Sequence, residues 1–400
     1  MNEDRSEGLP SGMDRQADIY ERGLMGVLPT VPTSLSRLER QARETLSPQA
    51  YDYVAGGAGS EDTMRANLAA FRRWRIVPRM LRDVSGRDLS VELFGVRLPA
   101  PVLCAPIGVQ CIVHPDGELA SAAAAASLKI PFVISTAATR TMEDIADATP
   151  DAARWYQLYW GKDFDLAASM AARAEKCGCS AIVITLDTPL LGWRDRDLEH
   201  AYLPFLLGQG LANYFADPVF RAALTLPPEE DPFGAVRHWA SIYSNPALCW
   251  DDLAFLRKHT RLPLLLKGIL HPDDAEEAVR RGMDGIIVSN HGGRQVDGAI
   301  GALDALPRIA NQVRDRIPVL FDSGIRRGVD AFKAIALGAK AVLFGRPTMW
   351  GLAASGQAGV REVLQNFLAE LDLAFALSGY NSVAEVDILA LVKEEALLEE

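Results

Sequence analysis

The sequence predicts an α/β protein, a closed (β/α)8 TIM barrel with an N-terminal helical extension and a long insert after strand 4. Three observations carry this. Short apolar runs recur eight times, helical periodicity follows them, and polar residues gather where the runs end. The runs are Val102–Val109, Pro131–Thr136, Arg154–Tyr159, Ala181–Asp187, Pro263–Gly268, Gly285–Asn290, Pro318–Gly324 and Ala341–Arg346. They are rich in Val, Ile and Leu, too short for helices and flanked by Gly or Pro, as strands of a buried parallel sheet are. Between them lie helical patterns such as Gly117–Leu128, Phe164–Lys176, Asp273–Arg281, Ala302–Arg314 and Val329–Leu337. An open doubly wound sheet is the competing arrangement. No GxGxxG follows the first run, however, and glycine loops suited to phosphate come late in the chain.

Two segments stand outside the repeat. Residues 1–100 read as an extension packing on the barrel of residues 101–390, with helix-like stretches at Ser34–Thr45 and Tyr51–Gly59. Residues 189–250 are far longer than an ordinary βα loop. Their aromatics, among them Trp193, Tyr202, Phe205, Trp239 and Tyr243, point to an ordered excursion over the barrel mouth, with a subunit-contact arm as the alternative.

Composition agrees with a globular chain: of 400 residues, 49% are hydrophobic and 23% charged. The net charge of -11 argues against a general nucleic-acid-binding surface. Arg72, Arg73, Arg75, Arg79 and Arg82 form a local exception, read as a solvated or interface face, and the tail bearing Glu394, Glu395, Glu399 and Glu400 as a solvated end. Cys104, Cys111, Cys177, Cys179 and Cys249 are odd in number, and Cys177 and Cys179 lack the neighbours of a zinc site, so reduced thiols and no metal are expected. The first residues are polar and acidic rather than signal-like, and no run nears about 18 apolar residues. A cytoplasmic protein without membrane attachment is the expectation.

A barrel places its chemistry at the C-terminal ends of its strands. Read there, the chain offers Ala105-Pro106-Ile107-Gly108, Ser135-Thr136, Gln157 with Tyr159, Thr185 with Asp187, Lys267, Ser289 through Arg294, Asp322 through Arg326, and Gly345-Arg346. Core packing does not require polar groups at nearly every end. The last two loops, each pairing glycine with arginine, suit a phosphate of substrate or cofactor. Lys267 is either a snorkelling residue or a buried cation against an electron-rich ring. His291 suits proton transfer near neutral pH, Asp187 suits orienting it, and Arg294 suits a carboxylate.

With these residues placed, the chain resembles the FMN-dependent 2-hydroxy acid oxidase and dehydrogenase family over about residues 35 to 380. The motifs are SNHGGRQ (Ser289–Gln295), FDSGIRRGVD (Phe321–Asp330), VLFGRP (Val342–Pro347), LLKGI (Leu265–Ile269), APIG (Ala105–Gly108) and TLDTP (Thr185–Pro189). Within the family the lactate 2-monooxygenase subgroup is most similar, through GLMGVLPTVP (Gly23–Pro32), GWRDRDLE (Gly192–Glu199), LPFLLGQGLANYFADPVF (Leu203–Phe220) and the insert.

The resemblance implies FMN over the barrel mouth. Its phosphate would meet Gly324, Arg326, Gly345 and Arg346; Pro106, Ile107 and Gly108 would line a ring edge; Ser135, Gln157, Thr185 and Lys267 would bond the ring. Asp322 would bond the ribityl chain, with Ser289 and Ser323 also on the cofactor. Arg294, Arg194 and Tyr53 would take the substrate carboxylate, Tyr159 the substrate hydroxyl, and His291, held by Asp187, would act as base. Hydride transfer from Cα is the implied step, and proton abstraction from Cα the competing description. Lysine beside the ring would stabilise negative charge there.

Two departures qualify this. Ala137 replaces a large aromatic of some relatives, which predicts a roomier pocket and leaves larger acids open, aryl ones included. The insert replaces the loop that sets preference in others, and no heme domain precedes the barrel. The expected reaction is L-lactate and O2 to acetate, CO2 and water. An oxidase releasing keto acid and peroxide, or a dehydrogenase with another acceptor, are the alternatives. FMN barrels of another reaction class and a non-catalytic barrel are disfavoured by the His291, Arg294, Tyr53 and Tyr159 set. A homo-tetramer or homo-octamer is implied.

Overall fold

The computed structural model describes residues 10–394. The first nine residues, and Glu395, Glu399 and Glu400 of the acidic tail, lie outside them. Eight parallel strands close into a barrel: β1 (Val102–Cys104), β2 (Phe132–Ser135), β3 (Arg154–Leu158), β4 (Ile182–Thr185), β5 (Leu264–Ile269), β6 (Gly285–Val288), β7 (Val319–Phe321) and β8 (Ala341–Phe344), with β8 pairing back to β1. Their helices are α1 (Gly117–Ala126), α2 (Met142–Ala148), α3 (Phe164–Lys176), α4 (Leu253–His259), α5 (Pro272–Arg280), α6 (Ala302–Val313), α7 (Gly328–Ala336) and α8 (Arg346–Ser378). Several strands are shorter than the apolar runs; in the first, Ala105–Val109 leaves the sheet to become loop.

Alternation decides what fills the barrel. Leu103, Val133, Trp155, Val183, Leu265, Ile287, Leu320 and Leu343 point inward and form a core distinct from the larger one between strands and helices. A hairpin of Val91–Leu93 and Val96–Leu98, turning at Phe94-Gly95, adds Leu93 and Leu98 to this inner core. Phe94 meets Trp155 at the start of β3, with ring centroids 5.6 Å apart, so the hairpin plugs the N-terminal end and leaves the other end for chemistry.

The extension runs back over the barrel through helices Gly12–Leu24, Leu35–Thr45, Pro48–Ala55 and Asp62–Arg72. Strand Trp74–Ile76 pairs antiparallel with Leu391–Lys393, so the two ends of the chain are tied together. The basic stretch is not simply a solvated or subunit-facing surface. Arg73 pairs with Asp304, Arg75 with Glu394, and Arg82 with Glu385 at 3.6 Å. Glu394 is likewise a partner rather than a free solvated end. Residues 189–250 fold into short helices, chiefly Asp195–Glu199, Ala212–Phe215, Pro218–Ala222 and Pro232–Ile242. No helix among the described residues is long and apolar enough to cross a membrane.

Candidate active site

At the C-terminal end of the strands the chain encloses a solvent-connected pocket of about 1240 Å³. Of the residues singled out from the sequence, all but Asp187, Ser135 and Ser289 line it. These three stand behind the wall and hold those that do. Ser135 Oγ donates to Gln157 Oε1 (3.1 Å) and accepts from Ala137 N (3.1 Å), so it sets Gln157 rather than facing the pocket. Gln157 Nε2 in turn donates to Thr185 Oγ1 at 2.9 Å. Ser289 Oγ accepts from Lys267 Nζ and from His291 N, both at 3.0 Å.

Lys267 reaches the pocket because β5 bulges after it, shifting register between Lys267 and Ile269. Gly268 is required there: its φ is +109°, and a Cβ would lie 2.8 Å from Asp187 Cβ. The ammonium is 3.3 Å from Asp322 Oδ2 and only 4% of the residue is exposed. Burial alone would strip its proton, but the charges of Asp322 and Asp187 outweigh that and hold its pKa above the ordinary lysine value. Lys267 is the buried cation, not the snorkelling surface residue.

His291 Nδ1 lies 2.8 Å from Asp187 Oδ1. A carboxylate partner assigns the proton to Nδ1 and leaves the Nε2 lone pair for a substrate proton. Burial lowers the imidazole pKa further than Asp187 raises it, whereas Asp187, despite burial, is held low by His291 and Lys267. The resting pair is therefore neutral imidazole and carboxylate. A base that must be neutral works above its pKa and fails as pH falls through it. kcat/KM is thus expected to be flat through neutrality and to drop tenfold per unit only below the ordinary histidine value of 6.5. Asp187→Asn, which removes the charge that raises the pKa, is expected to move that limb to lower pH; a pH–rate profile of both enzymes checks it, and a limb moving upward would refute the assignment.

Opposite the base stand two arginines. Arg294 Nη1 donates to Tyr53 O (2.7 Å) and Gly56 O (2.9 Å), and its guanidinium stacks 5.2 Å from the Tyr53 ring centroid. Burial, reinforced by Arg194, pulls its pKa down to about 10. Arg194 Nε donates to Arg294 O at 3.2 Å. Tyr159 lies with its ring centroid 6.5 Å from that of His291, and burial pushes its phenol up to about 12, so it stays a proton donor.

The loops expected to hold phosphate are also on the pocket wall. α8 opens with Gly345 as N-cap and no capping side chain, which leaves its first N–H groups for an anion. Arg346 departs from expectation: Nε, Nη1 and Nη2 donate to Val54 O, Gly292 O and Gly56 O at 2.9–3.0 Å. Two of its five N–H groups remain for a ligand, because the rest tie the extension to the loop after β6. Arg326, whose guanidinium donates among the described residues to Ile325 O, keeps more. Burial depresses both arginines, Arg346 further by its cationic neighbours. So many cations in one partly dry pocket call for anions. A cofactor phosphate at one end and a substrate carboxylate at the other supply them, and this donor set fits FMN.

The sequence did not single out the roof or the clamp behind the site. Phe205 and Tyr243, both from the insert, line the pocket, and the Tyr243 ring packs edge-on to Tyr159 at 5.7 Å. Their value as aromatics was visible; their aim was not. Ala137 does not simply open the pocket. At Gly210 of the insert a Cβ would lie 2.8 Å from Ala137 O and 3.0 Å from the Phe205 ring, so insert residues crowd the same spot. Asn67 and Asn290 exchange reciprocal amide bonds at 2.7 and 2.8 Å, fastening the extension to the SNHGGRQ loop. Only a fold brings residues so far apart together.

The chain matches the family model described as FMN-dependent dehydrogenase over residues 42–393. It is 46% identical to an L-lactate oxidase of Lysinibacillus sphaericus, over 92% of this chain and 94% of that protein. It is 45% identical to the FMN-dependent alpha-hydroxy acid dehydrogenase qulF of Penicillium citrinum, over 92% of this chain and 93% of that one. Among solved structures, mandelate oxidase superposes with a TM-score of 0.80 at 39% identity, covering 91% of this chain and 99% of the other.

Proposed function

Because the chain belongs to the FMN-dependent dehydrogenase family, and is an FMN-dependent 2-hydroxy acid oxidoreductase, we propose that it oxidises a small L-2-hydroxy acid, L-lactate first, with O2 as acceptor. The observation that carries this is the convergence of His291, backed by Asp187, with Arg294, Arg194, Tyr53 and Tyr159 on one pocket. Bound FMN supplies a two-electron acceptor for the hydride from the substrate Cα. The protein does the rest. Arg294 and Arg194 fix the carboxylate, with the Tyr53 phenol beside them. Tyr159 donates to the substrate hydroxyl oxygen, and His291 Nε2 takes the hydroxyl proton. Lys267 and Asp322, with Pro106, Ile107, Gly108, Gln157 and Thr185, cradle the cofactor, while Gly324, Arg326, Gly345 and Arg346 receive its phosphate.

The roof favours a second reading, lactate 2-monooxygenase. In an oxidase, L-lactate and O2 give pyruvate and H2O2. If Phe205 and Tyr243 keep pyruvate enclosed with peroxide, the sum becomes acetate, CO2 and H2O. Product analysis decides: pure protein with L-lactate in air, with O2 uptake, pyruvate, acetate, CO2 and peroxide measured together. Pyruvate matched by peroxide gives the oxidase, and acetate and CO2 matching O2 the monooxygenase. Flavin bleaching without reoxidation by air overturns O2 as acceptor, and no bleaching overturns lactate. If acetate forms, Phe205→Ala with Tyr243→Ala is expected to shift at least half of the product to pyruvate and peroxide; unchanged products would remove the roof from that role.

A further inference from the structure

We propose that Gln295 is a positioning residue that builds the carboxylate side of the pocket by holding Arg194. Its side chain spans the segment after β4. Nε2 donates to Asp187 O (2.7 Å) and Leu190 O (2.8 Å), while Oε1 accepts from Gly192 N and Arg194 Nη2, both at 3.3 Å. One amide thus satisfies the backbone next to the residue that orients the base, and the guanidinium that faces the substrate. Four polar groups would lose their partner with it.

The segment is also pressed against Gln295 physically. A Cβ at Gly192 would lie 2.4 Å from Arg294 O and 2.8 Å from Gln295 Cα, so glycine alone permits this approach. Arg194 has two further tethers, its Nε to Arg294 O at 3.2 Å and an ion pair with Asp197 at 3.7 Å. Neither is short, and only Gln295 fixes both the guanidinium and the backbone that delivers it. With Gln295 gone, Arg194 keeps its charge but not its place, and displacement of about 1 Å at a reacting site can cost about a hundredfold.

This inference rests on the reading that Arg194 binds the substrate carboxylate, and the experiment separates the two. FMN-loaded Gln295→Leu, Gln295→Glu, Arg194→Met and the Arg194→Met/Gln295→Leu double variant are compared for KM and kcat with L-lactate, or with the best 2-hydroxy acid found. Gln295→Leu is expected to raise KM about tenfold to a hundredfold, with kcat changed far less. The double variant is expected to match Arg194→Met alone, because the two act as one unit. Gln295→Glu keeps the acceptor for Arg194 and loses the donors to Asp187 O and Leu190 O, so its KM should fall between wild type and leucine; it also stands in if the leucine variant does not fold. KM within twofold of wild type in either Gln295 variant, or losses that multiply in the double variant, would overturn the proposal. An unchanged KM in Arg194→Met would instead overturn Arg194 as carboxylate ligand, and this inference with it.

Discussion

Replacing His291 with alanine is expected to slow reduction of the bound flavin by the 2-hydroxy acid about 10²–10⁴-fold, the usual weight of a positioned general base. The imidazole is the group in the pocket that pairs with a carboxylate through Nδ1 and offers a free Nε2 lone pair. Lys267 and both arginines are protonated donors, and the Tyr159 phenol holds its proton. Without His291 the hydroxyl proton has no comparable acceptor. FMN should remain bound, because Lys267, Gln157 and the phosphate loops are untouched. Anaerobic mixing with substrate, following the loss of flavin absorbance, measures it. Reduction within tenfold of wild type would remove His291 from the role of base.

Arg294→Lys is expected to lower kcat/KM about thirtyfold to several thousandfold, corresponding to the roughly 2–5 kcal/mol lost when one partner of a buried, hydrogen-bonded charge pair is truncated. A lysine keeps the charge, so any loss reports geometry. Arg294 is pinned on one edge by Tyr53 O and Gly56 O, which turns the remaining N–H groups toward the pocket. An ammonium cannot satisfy those two carbonyls and also fork onto a carboxylate. The loss should appear with carboxylate inhibitors as a weaker Kd of similar factor, while the spectrum of the bound flavin stays as in wild type. Equal inhibitor affinity in the two enzymes would place the carboxylate elsewhere.

Much of this site was legible before the fold, for a physical reason. A parallel barrel brings every strand end to one face, so reading strand ends is nearly the same as reading the wall. Lys267, His291, Arg294 and Asp322 follow from that rule alone. What escaped was whatever depends on the path between elements. The Ser135 and Ser289 hydroxyls sit on strand ends like the others, yet neighbours claim them. Arg346 carries a phosphate-loop pattern, but the extension's carbonyls compete for it. The basic stretch looked like a surface because Asp304, Glu385 and Glu394, which pair with it, lie hundreds of positions away. The hairpin plug was hidden for another reason: its strands of three residues each are too short to show a period.

The tying of the two chain ends bears on how the molecule is made. Tyr53 sits on a helix that lies against α8, where Tyr51 stacks on Trp350 at 5.6 Å, and the strand that follows the extension needs Leu391–Lys393 as its mate. During synthesis these early residues leave the ribosome long before the residues they dock on exist. The barrel can grow unit by unit behind them, and its strand ends can carry Lys267, His291 and Arg294 into place. The wall that holds Tyr53 is hung last, from whichever end the chain is viewed. A nascent or shortened chain thus holds most of the catalytic groups and none of the finished pocket, and the ability to engage substrate arrives as a late event of maturation.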